Sequence, residues 1–361
     1  MARDFAAVAG PEFRFRHMLM ELELPLTPME ALSVEAIPEG AEWQYEPKWD
    51  GFRCVVRREG DEVELQSKAG QPLARYFPEL VEAVREVKAR QFVLDGEIAI
   101  PSGDGAFSFD ALLQRIHPAA SRIKKLAAET PAILIVFDLL ADADGKSLLA
   151  MTLAERRERL ERFAKAHLSP KGSLRLSPAS TQLAEARQWL AKAGATLDGI
   201  IAKRRDLAYM SGERTAMQKI KNYRSADCVV GGFRYSKNGQ VVGSLLLGLY
   251  DEAGLLNHVG FTSSIPVKER PSLTTKLEAL IHPPGFTGSA PGGPSRWNGG
   301  KANEWQPLKP KLVVEVMFDH ATGGRFRHGT KLLRWRPDKT PKQCTMEQLE
   351  TKGGELMKLL R

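Results

Sequence analysis

Glu46-Pro47-Lys48-Trp49-Asp50-Gly51-Phe52-Arg53 is the stretch on which the reading of this chain turns. Trp43 and Tyr45 lead into it, and Cys54, Val55 and Val56 lead out, so it joins two β-type runs. A deprotonated lysine amine is a nucleophile, and a dry pocket or neighbouring cations make the proton easier to lose. Gly51 allows a tight turn and a close approach of backbone to a ligand. Asp50 and Arg53 set one charge of each sign within reach, which suits a metal-bound phosphate. The plain alternative is a hairpin approach carrying a solvated lysine. Alone, K-x-D-G is a weak signal, and its weight comes from the motifs farther along the chain.

The chain has 361 residues, long for one core and comfortable for two. With 43% apolar and 27% charged residues it reads as an ordinary globular protein. A formal net charge of +8 and a pI near 9.3 lean toward a polyanionic partner such as nucleic acid. Cys54, Cys228 and Cys344 are odd in number and far apart, which argues against a disulfide framework or structural zinc and for a reducing cytosol. No apolar run approaches a membrane span, and Phe5 to Ala9 is too short for the apolar core of a secretory leader.

Residues 1–25 read as an N-terminal arm. Beyond Arg53, strands are expected over Phe52–Arg58 and Glu62–Ser67, and an amphipathic helix over Pro78–Arg90, where Leu80, Val81, Val84 and Val87 recur at helical spacing. Phe92 to Ile100 is a buried strand interrupted by Asp95-Gly96-Glu97, and carboxylates in such a run need partners or a ligand. Ile133 to Leu140 is the most apolar strand, with Phe137 and Asp138 at its end. Thr152 and Glu155 form a capping-box pattern ahead of a charged helix, and a second helix spans Leu183 to Ala193. Leu197 to Arg204 is a strand that opens with Asp198-Gly199, and Lys219 and Lys221 share one face of another. After residue 225, short strands at Cys228–Phe233, Ser244–Tyr250, Leu256–Phe261 and Leu312–Phe318 suggest a small barrel, with Pro283 to Gly300 as a long loop. Arg325 to Lys339 interleaves cations with aromatics, either a solvated basic face or a surface for a phosphate backbone.

In this order, the motifs resemble those of ATP-dependent DNA ligases in the covalent nucleotidyltransferase superfamily. The likeness is greatest to small bacterial ligases of the ligase C type and to the ligase module of bacterial ligase D. The family's K-x-D-G-x-R is similar to Lys48, Asp50, Gly51 and Arg53; its Asp-Gly-Glu to Asp95-Gly96-Glu97, followed by Phe109, Gln114 and Arg115. Its aromatic motif matches Phe137-Asp138-Leu139, its acidic-Gly motif Asp198-Gly199-Ile200-Ile201, its K-x-K Lys219-Ile220-Lys221, and its R-x-D-K Arg336-Pro337-Asp338-Lys339. The match runs from about residue 25 to 340. It departs at Asp198, where the family usually has Glu, and at Ser67-Lys68-Ala69-Gly70, where Arg-Asn-Gly is common; that leaves the phosphate contact of Lys68 open.

The resemblance implies an α+β chain in two domains. A nucleotidyltransferase (adenylation) domain of antiparallel sheets with helices would span 26–225, an OB-fold β-barrel 226–345, and a helical tail 346–361. It implies a minimal machine without a preceding helical DNA-binding domain or a zinc finger. It also implies three phosphoryl transfers: Lys48 takes AMP from ATP, passes it to a 5′-phosphate at a nick, and a 3′-hydroxyl then displaces it. Lys48, Asp50, Arg53, Lys219 and Lys221 are the implied catalytic group. ATP would meet Glu46, Arg53, Arg75, Glu97, Phe137, Lys219, Lys221, Arg336 and Lys339, with Asp338 in the same terminal motif. Phe137 would stack on adenine, while Glu97 and Asp198 would hold Mg²⁺ or Mn²⁺. The implied setting is a cytoplasmic, nucleoid-associated monomer acting on nicked duplex DNA in repair and recombination, with other repair proteins as partners and no membrane. An RNA ligase or a GTP-using capping enzyme would share Lys48, Glu97 and the paired lysines, and ATP against GTP in an adenylation assay separates them. A catalytically silent nucleic-acid-binding protein is the other class, separated by whether the chain labels with AMP at all.

Overall fold

The chain changes sheets at Trp49-Asp50-Gly51. On one side, Trp43–Lys48 closes a four-stranded sheet that runs Leu32–Ser33, Met217–Lys221, Gly199–Arg204, Trp43–Lys48. On the other, Phe52–Glu59 sits inside a five-stranded sheet that runs Glu62–Ser67, Phe52–Glu59, Gln91–Ala99, Ile133–Ala141, Leu174–Leu176. Most pairs are antiparallel, but Leu32–Ser33 against Met217–Lys221 and Ile133–Ala141 against Leu174–Leu176 are parallel. Gly51 is required at the crossover, because a Cβ there would lie 2.1 Å from the Ile98 carbonyl oxygen. The computed structural model describes residues 20–103, 105–169, 171–193, 197–237, 239–292, 304–350 and 356–360. Most of the N-terminal arm, the later part of the Pro283–Gly300 loop, and 351–355 of the tail lie outside the described residues.

Burial explains the layers. Leu80 and Val84 of the helix Pro78–Arg85, with Leu160 and Phe163 of Leu153–His167, pack on Val56, Leu94 and Leu134 of the five-stranded sheet. Between the two sheets lie Trp43, Tyr45, Trp49, Ile135 and Ile200, and Ala186 and Trp189 of the helix Leu183–Ala193 cover them. Leu356 and Leu360, from the end of the chain, complete that same core. All nine residues of Ile133–Ala141 are buried, as its composition requires. Thr152 caps Leu153–His167 in a full capping box with Glu155.

The helix expected to reach Arg90 stops at Arg85. The Arg58 guanidinium donates to the carbonyl oxygens of Val84 and Val87, giving the chain an alternative to another helical turn. Helices Phe109–Arg115 and Ala120–Glu129 carried too sparse an apolar stripe to be read, and the latter buries Ile123 alone among its residues.

In the C-terminal half, one sheet runs Leu256–Thr262, Val242–Tyr250, Arg224–Tyr235, Val313–Phe318, Lys331–Trp335, with Gln306–Pro307 alongside the long third strand. The expected closed barrel needs correction: among the described residues no continuous ladder joins the two edge strands. They meet at a single bridge, Thr262 to Thr330, where Thr262 Oγ1 donates to the Thr330 carbonyl at 2.9 Å. The short hairpin Ala321–Thr322 with Arg325–Phe326 occupies the gap, and the Phe326 ring sits so close to Gly260 that a Cβ there would meet it at 2.8 Å. This half has its own core, built on Val229, Phe233, Leu245, Leu247, Val259 and Val314. The tail forms a short 3-10 turn at Met346–Leu349 and a helical turn at Leu356–Leu359. The three cysteines are free thiols in the interior. Among the described residues no helix is long and apolar enough to cross a membrane.

The pair that locks helix to sheet is Arg156 with Asp138. The guanidinium donates through Nε and Nη2 to both carboxylate oxygens at 2.9 Å, and Nη1 donates to the Met151 carbonyl at 2.7 Å. Both side chains are out of solvent. Removing one partner leaves a buried charge unanswered, so Asp138→Ala should destabilise the protein by about 3–5 kcal/mol. The shift of the urea midpoint, followed by tryptophan fluorescence, measures it; a shift below about 1 kcal/mol would show the pair to be dispensable.

Candidate active site

Sheet pairing sets the positions. Register aligns Glu46 with Ile201 and Lys48 with Gly199, while Gly199–Arg204 also pairs with Met217–Lys221. Alternation then turns Glu46, Lys48, Ile201, Lys203 and Lys219 toward one cleft, together with Arg53, Glu97 and Phe137 from the other sheet. Gly199 is confined to φ +147°, and a Cβ there would lie 1.9 Å from the Ile220 carbonyl oxygen, so Asp198 is followed by the one residue that lets the strands close up. The cleft encloses about 760 Å³ including its open mouth.

One end is an aromatic shelf with charge beneath it. Lys203 Nζ lies 4.5 Å and the Arg53 guanidinium 4.6 Å from the Phe137 ring centroid. Lys203 donates to Glu46 Oε2 at 2.8 Å, and Gln44 donates to the other Glu46 oxygen at 2.8 Å. Arg53 forks onto Asp95 at 2.6 Å through both nitrogens, and the Tyr209 hydroxyl donates to Asp95 at 2.7 Å. Lys48, Lys68, Lys219 and Glu97 line the same cleft. Burial lowers the Lys219 ammonium, and the neighbouring Lys48 and Lys221 lower it further. Burial also pushes the Glu97 carboxyl up to about 7, partly opposed by Arg53 and Lys48.

Lys48 forms an ion pair with Asp198, whose second oxygen bonds His320 Nε2 from the C-terminal half. Burial alone would raise the Asp198 carboxyl, but the bond from His320 and the charge of Lys48 hold it well below the usual range. Further contacts cross between the halves. Arg327 forks onto Asp50 at 2.7 and 2.8 Å with its guanidinium 3.6 Å from the Phe109 ring centroid; Lys221 donates to Asp319 at 2.7 Å; and His320 Nδ1 lies 3.9 Å from Asp50. A second cleft, about 960 Å³, opens between the halves with Lys48, Asp50, Phe109 and His320 on its walls. Lys48 therefore faces both clefts.

The structure gathers Glu46, Lys48, Arg53, Glu97, Phe137 and Lys219 in one cleft, with Asp198 and Asp50 beside Lys48. It does not bring in Arg75, which donates to the Pro118 carbonyl at 3.0 Å. Lys221 is turned to Asp319. Arg336 and Lys339 pair with Asp227, and Arg336 also with Asp338, all within the C-terminal half. Sequence reasoning missed Lys203, Asp319, His320 and Arg327. A lysine on the apolar strand Gly199–Arg204 was a signal for the first; the other three arrive by tertiary approach.

As a site for a divalent cation, the donors fit. Asp50, Asp198 and His320 bring ligand atoms within 4.8 Å of one another, while Glu97 lies outside that group as a half-buried carboxyl whose raised value an added cation would correct.

Comparison with known proteins fits this geometry. Residues 28–221 match the family described as ATP dependent DNA ligase domain, and residues 238–339 the ATP dependent DNA ligase C terminal region. The chain belongs to the ATP-dependent DNA ligases. DNA ligase C2 of Mycolicibacterium smegmatis is 45% identical to it over 91% of this chain and 95% of its own length. The multifunctional non-homologous end joining DNA repair protein LigD of Mycobacterium tuberculosis is 30% identical over 86% of this chain, which spans only 38% of LigD. A solved Lig E DNA ligase, 17% identical, overlays with a TM-score of 0.52 across 86% of this chain and 100% of that one, a likeness of fold. As a ligase of this family, the protein uses ATP and joins nicked DNA.

The raised Glu97 value has a consequence for the metal-free ligase. Its folded-state value of about 7 stands above its ordinary 4.5, so the folded protein binds this proton more tightly. The stability it contributes is full below the ordinary value and is lost as pH rises through about 7. Wild type should therefore lose stability between about pH 5 and pH 8, and Glu97→Gln should flatten that loss. Urea midpoints of both proteins across this range, in chelator, decide it; parallel curves would reject the assignment.

Proposed function

We propose that this ligase works through a covalent AMP on Lys48. The observation that carries the reading is the position of that amine between two clefts, one with an aromatic shelf and buried charge, the other opening between the halves. Lys48 Nζ attacks the α-phosphorus of ATP, a P–N bond forms, and the bond to pyrophosphate breaks. A nick 5′-phosphate oxygen then takes the AMP from Lys48, and the 3′-hydroxyl attacks that 5′-phosphorus and expels AMP. Phe137 stacks on adenine, with the Glu46–Lys203 pair at its edge, and Arg53 is fixed by Asp95 to face ribose or phosphate. Lys219, buried and pressed by its like-charged neighbours, gains from an anionic phosphate.

Asp198 holds Lys48 in an ion pair that the attack on ATP must break. Glu97 and Asp198 would hold Mg²⁺ or Mn²⁺, which when bound supplies positive charge for the phosphate oxygens. The domain boundary we favour lies between Lys221, which ends one sheet, and Arg224, slightly before the expected 225/226 division, because Arg224–Tyr235 is one continuous strand. We also favour a monomer serving DNA repair, a setting supported by the name of the LigD relative.

Incubation with α-labelled ATP and metal should give an acid-labile, alkali-stable AMP label that Lys48→Ala abolishes. Full labelling of that variant would sink the assignment. Asp198→Ala should lose sealing, while Asp198→Glu keeps most of it; wild-type ligation by the alanine variant would leave position 198 merely structural.

Arg336 and Lys339 must leave Asp227 to reach the β- and γ-phosphates, the role the terminal motif suggests. Arg336→Ala and Lys339→Ala should then block self-adenylation while largely sparing the sealing of pre-adenylated nicks, where no pyrophosphate departs. Assays of both reactions over a salt series check this, since DNA affinity itself should fall steeply with salt. Equal loss in both reactions would assign these residues to DNA binding or folding.

A further inference from the structure

Asp319 and His320 come directly after the strand Val313–Phe318, and each holds a group that the proposed chemistry needs. Asp319 Oδ2 accepts from Lys221 Nζ at 2.7 Å, and His320 Nε2 bonds Asp198. Asp319 is itself fixed: it accepts from the His320 backbone N–H at 2.8 Å, and both its oxygens lie 3.1 Å from His328 Nδ1. The side chains are only 10% and 16% exposed, so solvent screens these contacts weakly. The pairing obeys charge. A carboxylate sits on the lysine and an imidazole sits on the carboxylate, as an anionic phosphate oxygen with its counter-cation would.

We propose that Asp319 and His320 form a clasp on Lys221 and Asp198, beside the cleft that holds Lys48, and that ATP displaces it. This rests on the proposed function and on the contact with the ATP phosphates that the resemblance implies for Lys221. Two anions cannot share that ammonium without repelling each other, so docking of the C-terminal half and binding of ATP oppose one another, and the opposition is reciprocal.

The test uses the full-length ligase and α,β-methylene-ATP, an analogue from which Lys48 cannot take AMP. Asp319→Asn should bind it at least about five-fold more tightly than wild type, and Asp319→Glu should return to the wild-type affinity. Dyes on Glu158→Cys and Glu252→Cys, both exposed, report the distance between halves. In the otherwise wild-type protein that distance should change on saturation with the analogue, and Asp319→Asn should show part of the change without nucleotide. This measurement stands even where Asp319→Asn folds poorly. Unchanged or weaker analogue binding by a folded Asp319→Asn, or a distance indifferent to the analogue, overturns the clasp. Failure of the wild type to acquire AMP on Lys48 would instead overturn the function on which the clasp rests, and intact mass after incubation with ATP separates the two.

Discussion

The Lys48–Asp198 ion pair lies where four structural constraints meet. Lys48 ends one strand of the four-stranded sheet, Asp198 precedes its partner strand, the crossover to the second sheet begins at the next residue, and the C-terminal half touches the pair through His320. A charge pair this deep is costly to desolvate, and its mutual attraction offsets that cost only with further hydrogen bonds. Here His320 supplies one of them. The same interaction therefore aligns the sheets and reports the position of the second half. A phosphate arriving at Lys48 disturbs both at once.

The remaining charges show why the cleft discriminates between its ends. Around Phe137, Lys203 is matched by Glu46 and Arg53 by Asp95, so the charges beside the ring are paired. At the other end Lys219 is crowded by Lys48 and Lys221 and has been pushed toward the neutral amine. An uncharged base and a polyphosphate would thus find different surroundings within the one cleft. The direction in which ATP would lie comes from this contrast in pairing more than from the total charge of +8.

How much was legible in the sequence depends on how each residue reaches the site. Glu46, Lys48, Glu97, Phe137 and Lys219 stand on strands, where alternation and a short motif fix the facing, and they share one cleft. Arg75 failed because its short 3-10 helix turns it toward Pro118, a direction no periodicity encodes. His320 and Arg327 lie 122 and 277 residues from their partners Asp198 and Asp50, and charge pattern alone could not match them. The strands of the C-terminal half were readable from alternation and turn residues. Closure was not, because it depends on whether two edges meet, and Phe326 lies over Gly260 between them.

The end of the chain adds a constraint on motion. Leu349 belongs to the core of the C-terminal half, whereas Leu356 and Leu360 are buried in the first half beside Trp49 and Trp189. The Met357 backbone N–H donates to the Gly105 carbonyl at 3.1 Å, and Trp49, next to the nucleophile, donates through Nε1 to Ser177 Oγ at 2.9 Å. The second half is therefore joined to the first at two places, the Lys221–Arg224 junction and the tail. From Leu349 to Leu356 the backbone can span at most roughly 25 Å fully extended. A swing that carries Leu349 farther than that must pull Leu356 and Leu360 out of the core that holds Trp49. Each buried leucine resists by about 1.5–3 kcal/mol of transfer free energy. Large excursions of the C-terminal half are thus coupled to the packing behind Lys48, and rotations that keep the tail docked avoid the cost.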